Sequence, residues 1–365
     1  MRAIDITPDQ IVREAAQFAH RIGLGLRHLA GLGPVEVGCT PREAVWREDK
    51  LVLYRFRRDT PARHRVPLLI VYALVNRPYM VDLQEDRSLV RNLLAQGYEI
   101  YLVDWGYPDP SDRLLGLEDY ILGYLDRCAR VVAERHGLEA IDLLGICQGG
   151  TFSLCYTALR PTRVRRLVTM VTPVDFHTPD NLLSHWTREL DVDLFVDTLG
   201  NVPADLMNFF YLTLKPYRLN LQKYVGLADI LDDPAELANF LRMEKWIFDS
   251  PDQAGEAFRQ FIRDFYQQNK LVRGEVEIGG ERVDLGRITQ PVLNVYATQD
   301  HLVPPEASRA LARVVGSRDY TELAFRGGHI GIYVSARAQR EVAPGIDRWL
   351  QEGKETERVA RGGRA

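Results

Sequence analysis

Three residues whose types suit nucleophilic acyl transfer stand far apart in the chain: Cys147, Asp300 and His329. Cys147 lies in "LLGICQGG", with Gly145 two residues before it and Gly149 two after. A nucleophile carried on a sharp turn between a strand and a helix needs such small neighbours, because the turn is strained and adjacent backbones crowd it. The following helix also turns its N-terminal N–H groups and positive dipole end toward the thiol. A free thiol, with a pKa of about 8.5, is only slightly ionised at neutral pH, so an imidazole must take its proton. His329, in "RGGHIG", is the candidate base, and the glycines beside it let its loop approach the turn. Asp300, closing "PVLNVYATQD", either holds the imidazole in the right tautomer or acts through it on a second substrate.

The oxyanion formed when a thiolate attacks a carbonyl needs two converging backbone N–H groups. The spacing predicts one at Gln148, the residue after the nucleophile. The other should come from the loop after the strand at 67–74, at Val75 or Asn76. Asp104 in "VDWGY" and Asp175 in "TPVDF" also end strands at this sheet edge, where each either lines the site or, the favoured reading, caps a loop. His301, next to Asp300, reads as a surface or pocket residue. Cys128 and Cys155 fall inside helical patterns and read as small buried hydrophobes.

The elements around these residues alternate. Strand patterns at 51–57 and 67–75 precede a helix in "SLVRNLLAQG", a strand in "YEIYLVDWG", a long helix over 117–137, the strand "AIDLLG" and the helix "GGTFSLCYTALR". Strands follow at 165–173 and 291–300, then the helix "PEASRALARVVG", the strand "DYTELAF" and a last amphipathic helix in "AQREVAPGIDRWLQEG". Such alternation predicts right-handed crossovers and a doubly wound, mostly parallel sheet. Nucleophile, acid after a late strand and histidine after the last strand follow the chain order of the α/β-hydrolase fold. The expected organisation is an N-terminal arm of helix and loop over 1–50, a hydrolase core over 51–175 and 289–353, a large helical lid or cap insertion over 176–288, and a frayed charged tail over 354–365. The insertion is too long and too apolar for a loop, with stripes in "NFFYLTLKPYRLNL", "ELANFLRMEKWIFD" and "AGEAFRQFIRDFYQQN".

Composition bounds the function. At 365 residues, 46% hydrophobic and 26% charged, the chain can bury a large core. A net charge of -4 gives no reason to expect a nucleic-acid partner. No apolar run approaches the roughly 20 residues needed to cross a bilayer, and the first 20 residues lack the apolar centre of a signal peptide, so a cytoplasmic location is expected. The four cysteines show neither metal-ligand spacing nor a disulfide framework. A thiol exchanges with a thioester at little free-energy cost. Once water is excluded, the acyl group it takes can pass to an incoming hydroxyl.

The stretches "PLLIVYALVNRPYMVDLQEDRSLVRNLL", "IYLVDWGYPD", "DLLGICQGGTFSLCY", "LVTMVTPVDF", "YATQDHLVPP" and "GGHIGIYVS" together resemble the catalytic subunit of polyhydroxyalkanoate synthases across residues 40 to 350. The short chain and "GICQGG" are similar to the class III, two-subunit type. The resemblance implies polymerisation of (R)-3-hydroxyacyl-CoA, chiefly 3-hydroxybutyryl-CoA, into polyester with release of CoA. Carried over by motif, Cys147 is the acylated nucleophile, His329 its base, and Asp300 an acid that is also proposed to activate the monomer hydroxyl. No cofactor is implied, since the CoA thioester is a substrate. A PhaE-type companion subunit, a homodimer of the catalytic subunit and residence on cytoplasmic polyester granules are implied as well. Two other readings share these features: a cysteine hydrolase of thioesterase or dienelactone-hydrolase type, releasing free acid, and a noncatalytic granule-binding scaffold, against which an intact triad argues.

Overall fold

The computed structural model describes residues 33–59, 61–214 and 229–362, with isolated positions before residue 32 and Leu227. The helix expected in "IVREAAQFAHRIGLGL" lies largely outside the described residues, as does the end of the apolar stripe at 215–221.

Eight strands form one sheet. In chain order its strands are β1 (Arg42–Glu48), β2 (Leu51–Phe56), β3 (Leu68–Val71), β4 (Ile100–Asp104), β5 (Ile141–Ile146), β6 (Val164–Met170), β7 (Val292–Ala297) and β8 (Tyr320–Phe325). They lie side by side as β1-β2-β4-β3-β5-β6-β7-β8. The first two pairings, β1 with β2 and β2 with β4, are antiparallel, and every other pairing is parallel. The expected α/β-hydrolase fold with a mostly parallel sheet is what the chain adopts. β1 lies inside the 1–50 stretch that reads as helix and loop. Its alternation is weak because its residues are only partly buried at the sheet edge.

The helices that serve the site are α1 (Leu89–Ala95), α2 (Asp126–His136), α3 (Gln148–Leu159), α4 (Pro305–Arg309), α5 (Gly331–Val334) and α6 (Ala336–Gly362). α2 is preceded by a π-helical segment, Asp119–Leu125, so the helix expected over 117–137 changes its winding midway. α6 continues through most of the charged tail. The strand expected at 67–75 stops at Val71, because the chain turns there over the start of α3.

Every residue of α3 is buried. A helix buried on all faces is the centre of the molecule rather than part of its surface. Phe152 anchors it, edge-on to Trp105 at 6.4 Å and to Phe261 at 6.0 Å. Such aromatic pairs each contribute about 0.5–1.5 kcal/mol beyond the area they bury.

The described residues divide into two compact units. One comprises Met1–Val37 and Asp205–Asp249, the other Gly38–Ala204 and Ser250–Ala365. The interval 176–288 is therefore split. Its last part joins the core of the sheet unit through Phe261, Phe265, Leu271, Val276 and Ile278, with Phe261 packed on Phe152 of α3. In the smaller unit the helix Pro234–Phe248 starts where Asp233 accepts hydrogen bonds from Ala235 and Glu236 N–H and Pro234 occupies the first turn. Arg242 and Lys245 on that helix donate to the carbonyls of Glu36 and Val35.

Two glycines are obligatory around the turn at Cys147. A Cβ on Gly149 would stand 2.3 Å from the Val71 carbonyl oxygen, and one on Gly145 would stand 2.6 Å from the Gly150 Cα. Backbone has to move in both cases. Gly149→Ala should therefore cost about 1–3 kcal/mol of stability or more, read as a lowered midpoint in denaturant unfolding. A midpoint equal to wild type would show that β3 and α3 are not in the contact described.

Candidate active site

Cys147 occupies the turn between β5 and α3 with φ 54° and ψ -124°. A non-glycine residue in this region costs on the order of 1–3 kcal/mol and persists only where its surroundings impose it. Here they do. Cys147 N–H donates to the Met170 carbonyl on β6 at 2.9 Å, and the Cys147 carbonyl accepts from Gly150 at 3.0 Å as α3 begins. The result is a half-buried thiol at the N-terminus of a buried helix. Two other thiols differ: Cys128 and Cys155 are buried, and burial pushes both up in pKa, Cys155 to about 12. They read as inert packing residues.

Asp300 lies three residues beyond β7. One carboxylate oxygen accepts from Leu302 N–H at 2.9 Å and Val303 N–H at 3.0 Å, which fixes the group. The other accepts from His329 Nδ1 at 2.7 Å. Two backbone bonds hold the acid loop against the histidine loop, Thr298 N–H to Phe325 O and Gln299 N–H to Gly327 O, both 2.8 Å. With Nδ1 engaged by Asp300, Nε2 is the nitrogen left for the thiol. The ring lies within hydrogen-bonding reach of Cys147.

The electrostatics of His329 follow from opposing causes. Burial, the largest, disfavours its charge, but Asp300 and Cys147 together outweigh it and push the ring up to about 10. The ring is built to hold a proton beside the sulfur.

The oxyanion candidates sit at the same turn. Gln148 opens α3, and its side-chain carbonyl accepts from Leu74 N–H at 3.0 Å, drawing the loop after β3 up to the nucleophile. Val75 follows directly, and Asn76 has φ 63° and bonds Ser250 through its side chain at 2.6 Å. Asp104 is paired with Arg77 at 2.7 Å, and Asp175 accepts from Asn269 at 2.9 Å and caps its own loop through His177 N–H. His301 is half-buried on the acid loop.

Two residues at the site escaped the motif reading: Tyr72, just past β3, and Tyr333, on α5. Both are buried, at 4% and 1% exposure, with ring centres 6.5 Å apart, and Tyr333 stands edge-on to His329 at 6.2 Å. The available signal was the i, i+4 spacing of His329 and Tyr333, which puts them on one face of a helical turn.

Comparison with known proteins places this geometry in a lineage. The sequence matches the α/β hydrolase fold family over residues 66–336 and the N-terminal region of poly-beta-hydroxybutyrate polymerase (PhaC) over 32–93. It is 60% identical to the poly(3-hydroxyalkanoate) polymerase subunit PhaC of Allochromatium vinosum, over 96% of this chain and 100% of that one. The chain belongs to the poly(3-hydroxyalkanoate) polymerase PhaC family. It is an acyltransferase, a polyhydroxyalkanoate synthase catalytic subunit. The PhaC subunit of a Synechocystis species is 53% identical over 94% of this chain and 93% of its own. Among solved structures, BpoC from Mycobacterium tuberculosis has a TM-score of 0.51 at 12% identity, covering 85% of this chain and 98% of that one. A carboxylesterase of Nitrososphaera gargenis has a TM-score of 0.50 at 15% identity, covering 87% and 100%. Both likenesses show the fold alone. Among the described residues no helix is long and apolar enough to cross a membrane.

The raised pKa of His329 has a consequence for stability. Its folded value of about 10 exceeds the ordinary 6.5, so protonation favours the folded state. That contribution is complete below pH 6.5 and is lost as the pH climbs toward 10. His329→Gln lacks it, so the Tm advantage of wild type over the variant should narrow steadily across that window. An advantage that stays constant over the same pH range would contradict a protonated ring.

Proposed function

We propose that the chain polymerises (R)-3-hydroxyacyl-CoA, chiefly 3-hydroxybutyryl-CoA, through acyl groups held on Cys147. The observation that carries this reading is the Cys147, His329 and Asp300 arrangement: a ring bonded to Asp300 at 2.7 Å and within reach of a thiol at a strained turn. The Cys147 thiolate attacks the thioester carbonyl, the carbon–sulfur bond to CoA breaks, and the departing thiolate takes the proton from His329. The free 3-hydroxyl of a second monomer or chain end then attacks the acyl-cysteine. His329 accepts its proton, an ester bond forms, and the Cys147 thiolate leaves. Gln148 and Val75 N–H groups are the donors assigned to the oxyanion in both steps. No cofactor enters this scheme.

The partners follow from the same reading. Identity of 60% to the Allochromatium subunit, against 28% to the Cupriavidus necator relative, supports the class III type with a PhaE-type companion. A homodimer of the catalytic chain, and residence on polyester granules in the cytoplasm, belong to this proposal.

Mass spectrometry and CoA release on the purified chain given 3-hydroxybutyryl-CoA test it. Stepwise acyl additions on Cys147 and insoluble polyester are expected. A single transient adduct with free 3-hydroxybutyrate would instead mark a thioesterase. Cys147→Ala should show no adduct and a loss of turnover of about 10³-fold or more, while Cys155→Ala keeps both. Asp300→Asn should still acylate but elongate about 10²-fold more slowly, and equal loss of both steps would assign Asp300 to orientation alone.

A further inference from the structure

Tyr333 carries a buried hydroxyl with no hydrogen-bond partner, directly beside the catalytic groups. Its ring is edge-on to His329 at 6.2 Å and to Tyr72 at 6.5 Å, and the residue is 1% exposed. Almost all buried polar groups in folded proteins are paired, so an orphaned donor calls for an explanation. The sulfur of Cys147 does not supply one, since no atom within range accepts from this hydroxyl.

Electrostatics keep the group a donor. Burial first, then Tyr72, Cys147 and Asp300, push its ionisation well above the ordinary tyrosine range. The ring that carries it packs edge-on against His329, the base assigned to Cys147. A neutral O–H, shielded from water on a ring beside His329, lacks only an acceptor. The acyl group is what brings acceptors to Cys147. Its carbonyl oxygen is taken by the backbone donors at Gln148 and Val75. The next oxygen, two carbons further along, is the one on C3: a hydroxyl in the first monomer, an ester oxygen in the growing chain.

We infer that Tyr333 donates a hydrogen bond to the C3 oxygen of the acyl group on Cys147 and so selects 3-hydroxyacyl substrates over plain acyl thioesters. The inference rests on the acyl-cysteine reading above. It assigns Tyr333 a role in substrate contact, separate from the triad that moves the proton. A site that hydrogen-bonds a substrate hydroxyl discriminates against the analogue lacking it far better than an apolar pocket can.

The test compares wild type with Tyr333→Phe in single-turnover acylation, using (R)-3-hydroxybutyryl-CoA and butyryl-CoA on the purified full chain, with CoA release and the adduct mass on Cys147 as readouts. The expected result is a loss of about 10- to 100-fold with the hydroxylated substrate and an unchanged rate with butyryl-CoA. Equal losses on both substrates, no loss on either, or a loss confined to the second and later additions would each overturn it. Thermal unfolding separates a structural role. Removing an unpartnered hydroxyl leaves Tm equal or higher, and a lowered Tm with equal losses on both substrates counts against the inference. If wild type forms no adduct on Cys147 with either substrate, the acyl-cysteine reading itself falls, and this inference with it.

Discussion

The rest of the structure depends on one strained residue. Cys147 is held at a positive φ between the central strand β5 and the fully buried helix α3, and the turn survives because its neighbours leave the backbone no other course. The hydrogen bond from Cys147 to β6 sets the height of the sulfur above the sheet. The bare α-carbon of Gly149 lets α3 meet the backbone of β3, that of Gly145 lets β5 meet α3, and the Gln148 side chain ties the β3 loop to the same point. Aromatic packing around Phe152 then locks the helix that carries the strain. Packing energy far from the sulfur thus maintains a geometry at the sulfur that is unfavourable by itself.

The second feature is a buried charge that is fully answered. An aspartate in the interior is costly unless its lone pairs are filled. Asp300 meets this condition with two backbone donors on one oxygen and His329 on the other. The carboxylate is thereby a fixed negative end that keeps a proton on the imidazole in spite of burial. Under the proposed reaction cysteine suits this place, because its sulfur is nucleophilic toward a thioester and a good leaving group when the next hydroxyl attacks.

Relatives of the same fold include a carboxylesterase at 15% identity, and likeness at that level carries no statement about chemistry. Under the proposed reaction, what separates transfer from hydrolysis is local: the thiol and the groups that surround it. The pair of buried tyrosines, Tyr72 and Tyr333, is the part of that surrounding that no short motif announces.

Much of this was legible in the sequence. Short apolar runs separated by amphipathic helices specify a parallel sheet because only a sheet covered on both faces buries such runs. The small residues around Cys147 mark a turn that other residues could not make, and the positions of Asp300 and His329 after late strands follow from where strand ends gather. Other features needed the folded chain. β1 was hidden because an edge strand buries little and therefore alternates little. The division of 176–288 between two units depends on which side chains enter the core of the sheet unit, and periodicity records only that a helix has an apolar face, not what it meets. The protonation of His329 and the unpaired hydroxyl of Tyr333 are likewise properties of distance and burial. The order of residues determined the fold class and the candidate reacting groups, because those depend on local pattern and residue type. The charge and contacts of those groups were decided only by tertiary structure, because electrostatic and hydrogen-bond energies are set by neighbours that sequence separation does not reveal.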